Sequence, residues 1–213
     1  MKTDDLISLL ARQAPPIDRH LPTKRFTLAL LIAFASASVL MLSLLGLRPD
    51  IGSAIASTRF WIKAALPALL GIGALWMVIR LARPGIAPGP SGWVVLTPLL
   101  AVWIASAAAL LGAPPADRLA LLLGQTWRVC PVLIALLSLP GLIALFWALR
   151  GLAPTRLRLA GAAAGLLAGA TATLVYCFHC PEMGVPFWGC WYVLGMAVPT
   201  LIGALLGRRW LAW

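Results

Sequence analysis

Charged residues are scarce in this sequence. Only 11% of its 213 residues are charged, whereas 62% are hydrophobic and the mean hydropathy is +0.95. A soluble domain of this length and composition would have to expose more apolar surface than water tolerates. The composition therefore excludes an ordinary soluble domain and indicates an integral membrane protein.

Acidic residues are especially rare, with six Asp and Glu against 17 Lys and Arg. The resulting net charge of +11 would suit a nucleic-acid-binding protein if the basic residues were clustered on a hydrophilic domain. Instead they stand singly or in pairs at the ends of apolar runs, as membrane-anchoring residues do. The distribution argues against a nucleic-acid partner and for the lipid bilayer as the environment of the chain.

Long polar segments are missing after residue 25. The chain from there to residue 206 is divided into apolar runs of membrane-spanning length, and a chain in hydrocarbon must satisfy its backbone within helices. We therefore predict an all-α, polytopic membrane domain over residues 26–206. Its six transmembrane helices are Phe26–Leu47, Phe60–Leu81, Trp93–Leu111, Val129–Leu149, Leu159–Phe178 and Phe187–Leu206. The span centres carry no ionisable residue, which argues against a transporter.

The Lys and Arg residues are divided unequally between the two sides of the predicted spans. Twelve lie on the side of the two termini and five on the other side. The positive-inside rule then places both termini in the cytoplasm, with residues 207–213 as a cytoplasmic tail. We see no cleavable signal peptide, because about 25 polar residues precede the first apolar run. The prediction is a multi-pass membrane protein with both termini in the cytoplasm.

Residues 1–25 form the only sizeable hydrophilic segment, and they predict a short amphipathic helix over about residues 4–13. Asp4 and Asp5 lie in its first turn, where the helix dipole favours acidic side chains. A helix this short is not stable alone in water, so its apolar stripe needs a surface to lie against. That surface is either the inner leaflet and the protein's own loops, or a cytoplasmic protein partner. The stripe consists of Leu6, Ile7, Leu9 and Leu10.

The predicted topology places all four cysteines at the outer face: Cys130, Cys177, Cys180 and Cys190. Thiols in an oxidising compartment can form lasting disulfides, although buried cysteines also serve as small apolar residues. Cys130 and Cys190 are predicted near helix N-termini, where the dipole favours a thiolate. Cys177 and Cys180 are predicted at a helix C-terminus, where it does not.

The polar segment between the last two spans also contains His179 and Glu182, so it offers several ligands for a soft metal ion. No spacing among these side chains is diagnostic of a metal site, and His179 fits an ordinary interfacial residue equally well. The Cys177-Phe-His-Cys180 spacing matches a redox motif, but it stands at the wrong end of its helix. The sequence therefore leaves metal binding undecided.

Two enzyme classes deserve comparison. Nucleophilic hydrolysis is disfavoured, because the only histidines, His20 and His179, lie on opposite predicted faces and no Ser-His-acid set can be drawn. A membrane thiol-disulfide oxidoreductase is the alternative function that the outer cysteines allow. A structural membrane subunit also fits the composition.

The two ends of the chain carry a family resemblance. The opening MKTDDLISLLA, the six spans and the segment HCPEMGVPFWGCWYVLGM resemble the NrsF family of bacterial membrane anti-sigma factors. The resemblance implies a protein that restrains an extracytoplasmic-function sigma factor at the inner membrane. It would release that factor when cysteines on the periplasmic side sense oxidative or heavy-metal stress. Accordingly we expect no enzymatic activity and no cofactor.

The resemblance also implies roles for residues. Carried over by position, it assigns signal sensing to Cys130 and Cys180, one from each of two outer loops. Cys177 and Cys190 correspond to no family position, so they are secondary candidates together with His179. The sequence leaves open whether the thiols pair within one chain or between two, and it does not determine the oligomeric state. The residues that would bind the sigma factor are Asp4, Asp5, Leu6, Ile7, Leu9 and Leu10.

Overall fold

The computed structural model describes residues 20–212 of the chain. Within this range the chain forms eight α-helices and no strand. In chain order they are α1 Leu21–Leu44, α2 Ile51–Ala56, α3 Thr58–Leu81, α4 Ser91–Gly112, α5 Pro115–Leu123, α6 Cys130–Arg150, α7 Leu157–Tyr176 and α8 Val185–Trp210. The all-α prediction is confirmed for this part of the chain.

Six of these helices are long and apolar enough to cross a membrane, and they are α1, α3, α4, α6, α7 and α8. The six predicted spans are therefore confirmed, with ends that differ by a few residues. Helix α8 is longer than the predicted last span: it ends at Trp210, inside the segment predicted as the cytoplasmic tail. The predicted N-terminal helix, with Asp4, Asp5 and the apolar stripe, lies outside the described residues.

The two short helices, α2 and α5, were not predicted, because neither contains an apolar run of spanning length. Helix α5 has the start signals of a helix: a proline in its first turn and Asp117 close to the positive end of the helix dipole. None of its residues is buried, and Leu119 is 64% exposed. An exposed amphipathic helix of this kind fits the membrane interface better than the bilayer core.

Helix α7 is the centre of the bundle. It packs against α8, α3, α6 and α1. In its most apolar stretch of 18 residues, 72% of the residues are buried, whereas the corresponding share in α4 is 6%. Alanine and glycine make up half of its 20 residues, in the sequence LRLAGAAAGLLAGATATLVY. Small side chains let neighbouring helices approach closely, which is how helices associate in lipid without a hydrophobic driving force between them.

The buried residues form two clusters, and each cluster joins the same ends of different helices. The first contains Met41, Phe60, Cys130, Tyr176 and Phe187. The second contains Phe26, Leu81, Leu149, Ala160 and Leu211. Successive spans therefore run in opposite directions, and α1 begins at the end of the bundle where α8 finishes. We call this the termini end, and we call the other the hairpin end, after the hairpin formed by residues 177–184.

The outside of the bundle is apolar. Large aliphatic side chains face outward along the spans, including Val39 at 64% exposed, Leu111 at 75% and Leu205 at 76%. Scattered exposed apolar residues are normal on soluble proteins, but a continuous apolar surface around a helix bundle is not. Lipid is the solvent that matches this surface, so the six helices form a membrane domain.

Helices α7 and α8 touch through glycine. A Cβ atom on Gly165 would collide with the backbone carbonyl of Pro199, and one on Gly161 would collide with that of Gly203. A backbone cannot move aside as a flexible side-chain tip can. The close approach of the two helices therefore requires glycine at these positions.

We predict that Gly165→Ala destabilises the protein. Alanine is the better helix former by about 1 kcal/mol, but overpacking against a rigid carbonyl costs about 1–3 kcal/mol, so the collision decides the sign. The matched control is Gly92→Ala on α4, where an added Cβ meets no atom within 4 Å. Thermal unfolding in detergent, followed by tryptophan fluorescence, would measure both. Equal midpoints for the two variants would contradict the packing account.

Candidate functional site

The hairpin between α7 and α8 brings three of the four cysteines to one end of the bundle. Helix α7 ends at Tyr176, and its carbonyl still accepts a hydrogen bond from the Cys180 backbone N–H at 3.0 Å. Pro181 has no N–H to continue the helix. Gly184 is then extended, with φ −71° and ψ 127°, and leads into α8. The result is a tight turn that covers the ends of the spans.

Lys63 holds this hairpin from below. Its side chain is 0% exposed, and its amine donates hydrogen bonds to the carbonyls of Cys180 at 2.7 Å and Glu182 at 3.0 Å. The same amine lies 5.6 Å from the centroid of the Tyr192 ring. Charged residues are almost never fully buried without a partner, so the burial of Lys63 singles out the hairpin as a candidate functional site.

Sequence reasoning missed Lys63, because it was only one of the five basic residues counted on the outer side. The signal that would have revealed it is its position on α3. Phe60, Leu66 and Leu70 are buried on the same helix and follow a three-to-four-residue spacing that also includes position 63. A lysine within a buried stripe must send its amine to acceptors above or below the stripe.

Arg48 holds the hairpin from the side. It forms a two-pronged ion pair with Asp50, with both N–O distances at 2.7 Å, and it also donates to the Cys180 carbonyl at 3.4 Å. Its backbone N–H donates a hydrogen bond to the Phe178 carbonyl at 3.2 Å. The hydrogen bonds in this pair raise the pKa of Arg48 and lower the pKa of Asp50. The loop after α1 is therefore bonded to the hairpin by side chain and backbone.

His179 and Glu182 are bonded to the protein as well. The His179 Nδ1 atom lies 2.9 Å from the Gly46 carbonyl, and the Glu182 carboxylate accepts a hydrogen bond from the Gln125 N–H at 2.7 Å. These contacts tie the hairpin to two different loops. They also give both side chains a structural use.

The structure offers no grouped metal ligands in the part of the chain it describes. Among residues 20–212, no set of three or more His, Cys, Asp or Glu side chains is placed to hold an ion. The buried ammonium of Lys63 beside the hairpin would also repel a cation. The cysteines are better considered as thiols.

The structure brings Cys130 and Cys180 together. Cys130 is the first residue of α6, Cys180 lies in the hairpin, and their thiols are hydrogen-bonding neighbours. Both are 0% exposed. This is the pair that the family resemblance implied, and two segments far apart in sequence place it.

The other two cysteines differ from this pair. Cys177 is buried beside Tyr192, whose hydroxyl has no hydrogen-bond partner of ordinary geometry among residues 20–212. Cys190 is exposed on the outside of the bundle. It was predicted in the first turn of the last span, but α8 begins earlier, at Val185, and this places Cys190 in the second turn.

The electrostatics of the hairpin favour a thiolate on Cys180. The hydrogen bond from the Cys130 thiol and the positive charge of Lys63 lower the pKa of Cys180, against the effect of burial. Burial raises the pKa of Cys177 to about 12. The expectation from helix ends, which assigned the thiolate to Cys130 or Cys190, was wrong. It considered only the helix dipole, and nearby side chains act more strongly on Cys180.

We predict that mild oxidation of the purified protein joins Cys130 to Cys180 within one chain, because these thiols already touch. Treatment with diamide followed by peptide mass spectrometry would identify the bond. Cys190→Ser serves as the matched control and should leave the product unchanged, whereas Cys130→Ser and Cys180→Ser should abolish it. A main product that joins Cys177 to Cys180, or that joins two chains, would contradict the prediction.

Comparison with known proteins gives one consistent result. A family model described as the negative regulator of sigma F, NrsF, matches residues 10–213. A protein of Azospira oryzae, described as a probable anti-sigma-F factor NrsF, is 46% identical over 216 residues that cover 100% of both chains. The anti-sigma-F factor NrsF of Caulobacter vibrioides is 40% identical over 215 residues, again 100% of both. No solved structure matches this chain. The resemblance seen in the sequence is thus confirmed, and the chain belongs to the NrsF family.

Proposed function

We propose that this protein is a membrane-bound anti-sigma factor that sequesters an extracytoplasmic-function sigma factor and releases it under oxidative or heavy-metal stress. The observation that carries the proposal is the full-length similarity to two proteins named anti-sigma-F factor NrsF. The similarity covers the hydrophilic N-terminal segment as well as the membrane domain. The similarity therefore extends over both segments on which the proposed mechanism depends.

In this proposal the termini end faces the cytoplasm and the hairpin end faces the periplasm. The unequal distribution of Lys and Arg supports this orientation. Arg48 and Lys63, two of the five basic residues on the hairpin side, are buried and bonded to the hairpin.

The proposed docking element for the sigma factor is the segment before α1. That helix begins at the termini end, so the N-terminal segment is joined to the bundle on the proposed cytoplasmic side. An apolar stripe flanked by two aspartates suits a groove with basic neighbours on a protein partner. The proposed contact residues are Asp4, Asp5, Leu6, Ile7, Leu9 and Leu10.

The proposed sensing residues are Cys130 and Cys180. Their buried contact, together with the factors that favour a thiolate on Cys180, supports an oxidation-sensitive pair at the periplasmic side. Cys177 and His179 belong to the same hairpin and support its shape. Cys190 faces away from the pair, so we assign it no sensing role.

Co-purification tests the anti-sigma function directly. The full-length protein, solubilised in detergent from its own host, should retain a sigma factor that mass spectrometry identifies. A version that lacks residues 1–14 should lose it, because the proposed docking stripe is removed. Recovery of no sigma factor with either form would contradict the proposal. Recovery with both forms would contradict the assignment of docking to the N-terminus.

Serine substitution tests the sensing pair in cells. Cys130→Ser and Cys180→Ser should each alter induction of the sigma-dependent genes by an oxidant, since neither variant can form the disulfide. Cys190→Ser is the matched control and should respond as the wild type does. Transcript levels before and after exposure would measure the effect. An unchanged response in both pair variants would rule out sensing by these thiols.

A thiol-disulfide oxidoreductase is the second candidate function, and the acidic thiol of Cys180 beside a second cysteine is the observation that favours it. Such an enzyme needs an attacking sulfur that a protein disulfide can reach, and both sulfurs here are 0% exposed. Disulfide exchange by the purified protein with a model substrate separates the two candidates. Turnover would favour the enzyme, and its absence would favour the sensor.

A further inference from the structure

In the described part of the chain, the buried Lys63 amine has no carboxylate partner. Within residues 20–212, its amine bonds only to two backbone carbonyls, while Asp50 pairs with Arg48 and the Glu182 carboxylate bonds to the Gln125 N–H. A buried charge is tolerated when an opposite charge compensates it, and two carbonyl dipoles do so only in part. The site therefore calls for an anion close to Lys63.

The thiols are the groups that can supply this anion. Among groups able to become negative, those of Cys180, Cys177 and Cys130 act most strongly on the Lys63 amine. Cys180 is the best placed of the three, because its own carbonyl accepts the shorter bond from Lys63, at 2.7 Å. Burial disfavours a thiolate on Cys177. An ammonium on Lys63 and a thiolate on Cys180 satisfy each other's charge in the low dielectric of the bundle.

We propose that Lys63 is the positioning residue of the redox site: it holds Cys180 as the reactive thiolate beside Cys130, and the oxidation of this pair removes the anion that keeps Lys63 in place. This inference deepens the sensing role proposed above, and its biological meaning rests on that role. It adds a residue that acts through Cys180 by charge and by anchoring the hairpin backbone.

The chemistry balances with a peroxide as oxidant. The Cys180 thiolate attacks one peroxide oxygen, the O–O bond breaks, and hydroxide leaves, so that Cys180 becomes a sulfenic acid. The Cys130 sulfur then attacks the Cys180 sulfur, the S–O bond breaks, and water leaves with the Cys130 proton. Two electrons pass from the two sulfurs to the peroxide. The negative charge leaves as hydroxide, and Lys63 faces a neutral disulfide.

Burial of both sulfurs selects the class of oxidant. A protein disulfide cannot reach a thiol that is 0% exposed, whereas a small uncharged molecule can enter through a local opening of the hairpin. Once the anion is lost, the Lys63 amine retains only its two carbonyl acceptors. The hold of α3 on the hairpin weakens, and this is the conformational change that the redox step biases.

Thiol reactivity of the purified full-length protein tests this inference without any sigma factor. Each cysteine is labelled with iodoacetamide between pH 5 and pH 9, and its rate is followed by peptide mass spectrometry. In the wild type, labelling of Cys180 should reach half its maximum well below the ordinary thiol pKa of 9.0, because the Cys130 hydrogen bond and the charge of Lys63 lower its pKa. The charged or titratable groups that face it are Lys63, Arg48, Cys130, Tyr176, Cys177 and Tyr192.

Substitution of Lys63 provides the decisive comparison. Lys63→Met keeps the length and removes the charge, so the labelling midpoint of Cys180 should rise. Peroxide-driven formation of the disulfide at pH 7 should slow as the thiolate fraction falls, by about tenfold for each unit by which the midpoint rises above 7. Lys63→Arg keeps a cation at this position and should retain most of the wild-type rate of disulfide formation. Lys24→Met, the same change at the termini end, is the control and should behave as the wild type.

Two results would overturn the inference. One is a Lys63→Met variant that labels and oxidises as the wild type does, provided that excess diamide still forms the disulfide and so shows that the thiols remain adjacent. The other needs no variant: a wild-type Cys180 that labels only near the ordinary thiol pKa of 9.0. Neither result depends on the sigma factor, so failure here is distinct from a failed co-purification.

Discussion

The contact on which the hairpin end depends is the bond between the Lys63 amine and the Cys180 carbonyl. In a water-filled loop this bond would contribute little, because water competes for both groups. Inside a bundle surrounded by lipid the same bond cannot be replaced by solvent. The position of the hairpin backbone at Cys180 and the charge next to it therefore both depend on one buried lysine. Arg48 and Glu182 then fix the hairpin from two other directions.

The two ends of the bundle are built differently. At the termini end the core consists mainly of alanine, leucine and phenylalanine, with glycine contacts between α7 and α8 that leave no room for a side chain. At the hairpin end the core includes three cysteines and two tyrosines, and the only fully buried lysine of the described residues lies beside it. A densely packed interior transmits structural strain from one helix to the next. The hairpin end instead contains the thiols, which can be oxidised. The division suits a protein that is proposed to detect a signal at one face and act at the other.

The spans could be predicted because hydropathy is a local property: each apolar run stands by itself in the sequence. The bonds that build the site are not local. Lys63 meets acceptors 117 and 119 positions later, and Arg48 meets one 132 positions later. No spacing rule connects such partners, so both residues were only counted among the five basic residues on the outer side. The pairing of Cys130 with Cys180 came from the family resemblance, and the prediction from helix ends failed because it omitted Lys63. The short helices α2 and α5 lacked any signal at the length of a span.

These long separations have a consequence for biosynthesis. A chain made from its N-terminus inserts α1 and α3 well before the hairpin exists, so Arg48 and Lys63 must first find water or lipid headgroups at the interface. Only when residues 180–182 arrive can the two cations move inward and exchange those contacts for the hairpin carbonyls. The hairpin end is therefore the last part of the bundle to mature, and a chain interrupted before α8 would keep both cations at the surface. Newly made and mature protein would then differ most at the site where the thiols meet.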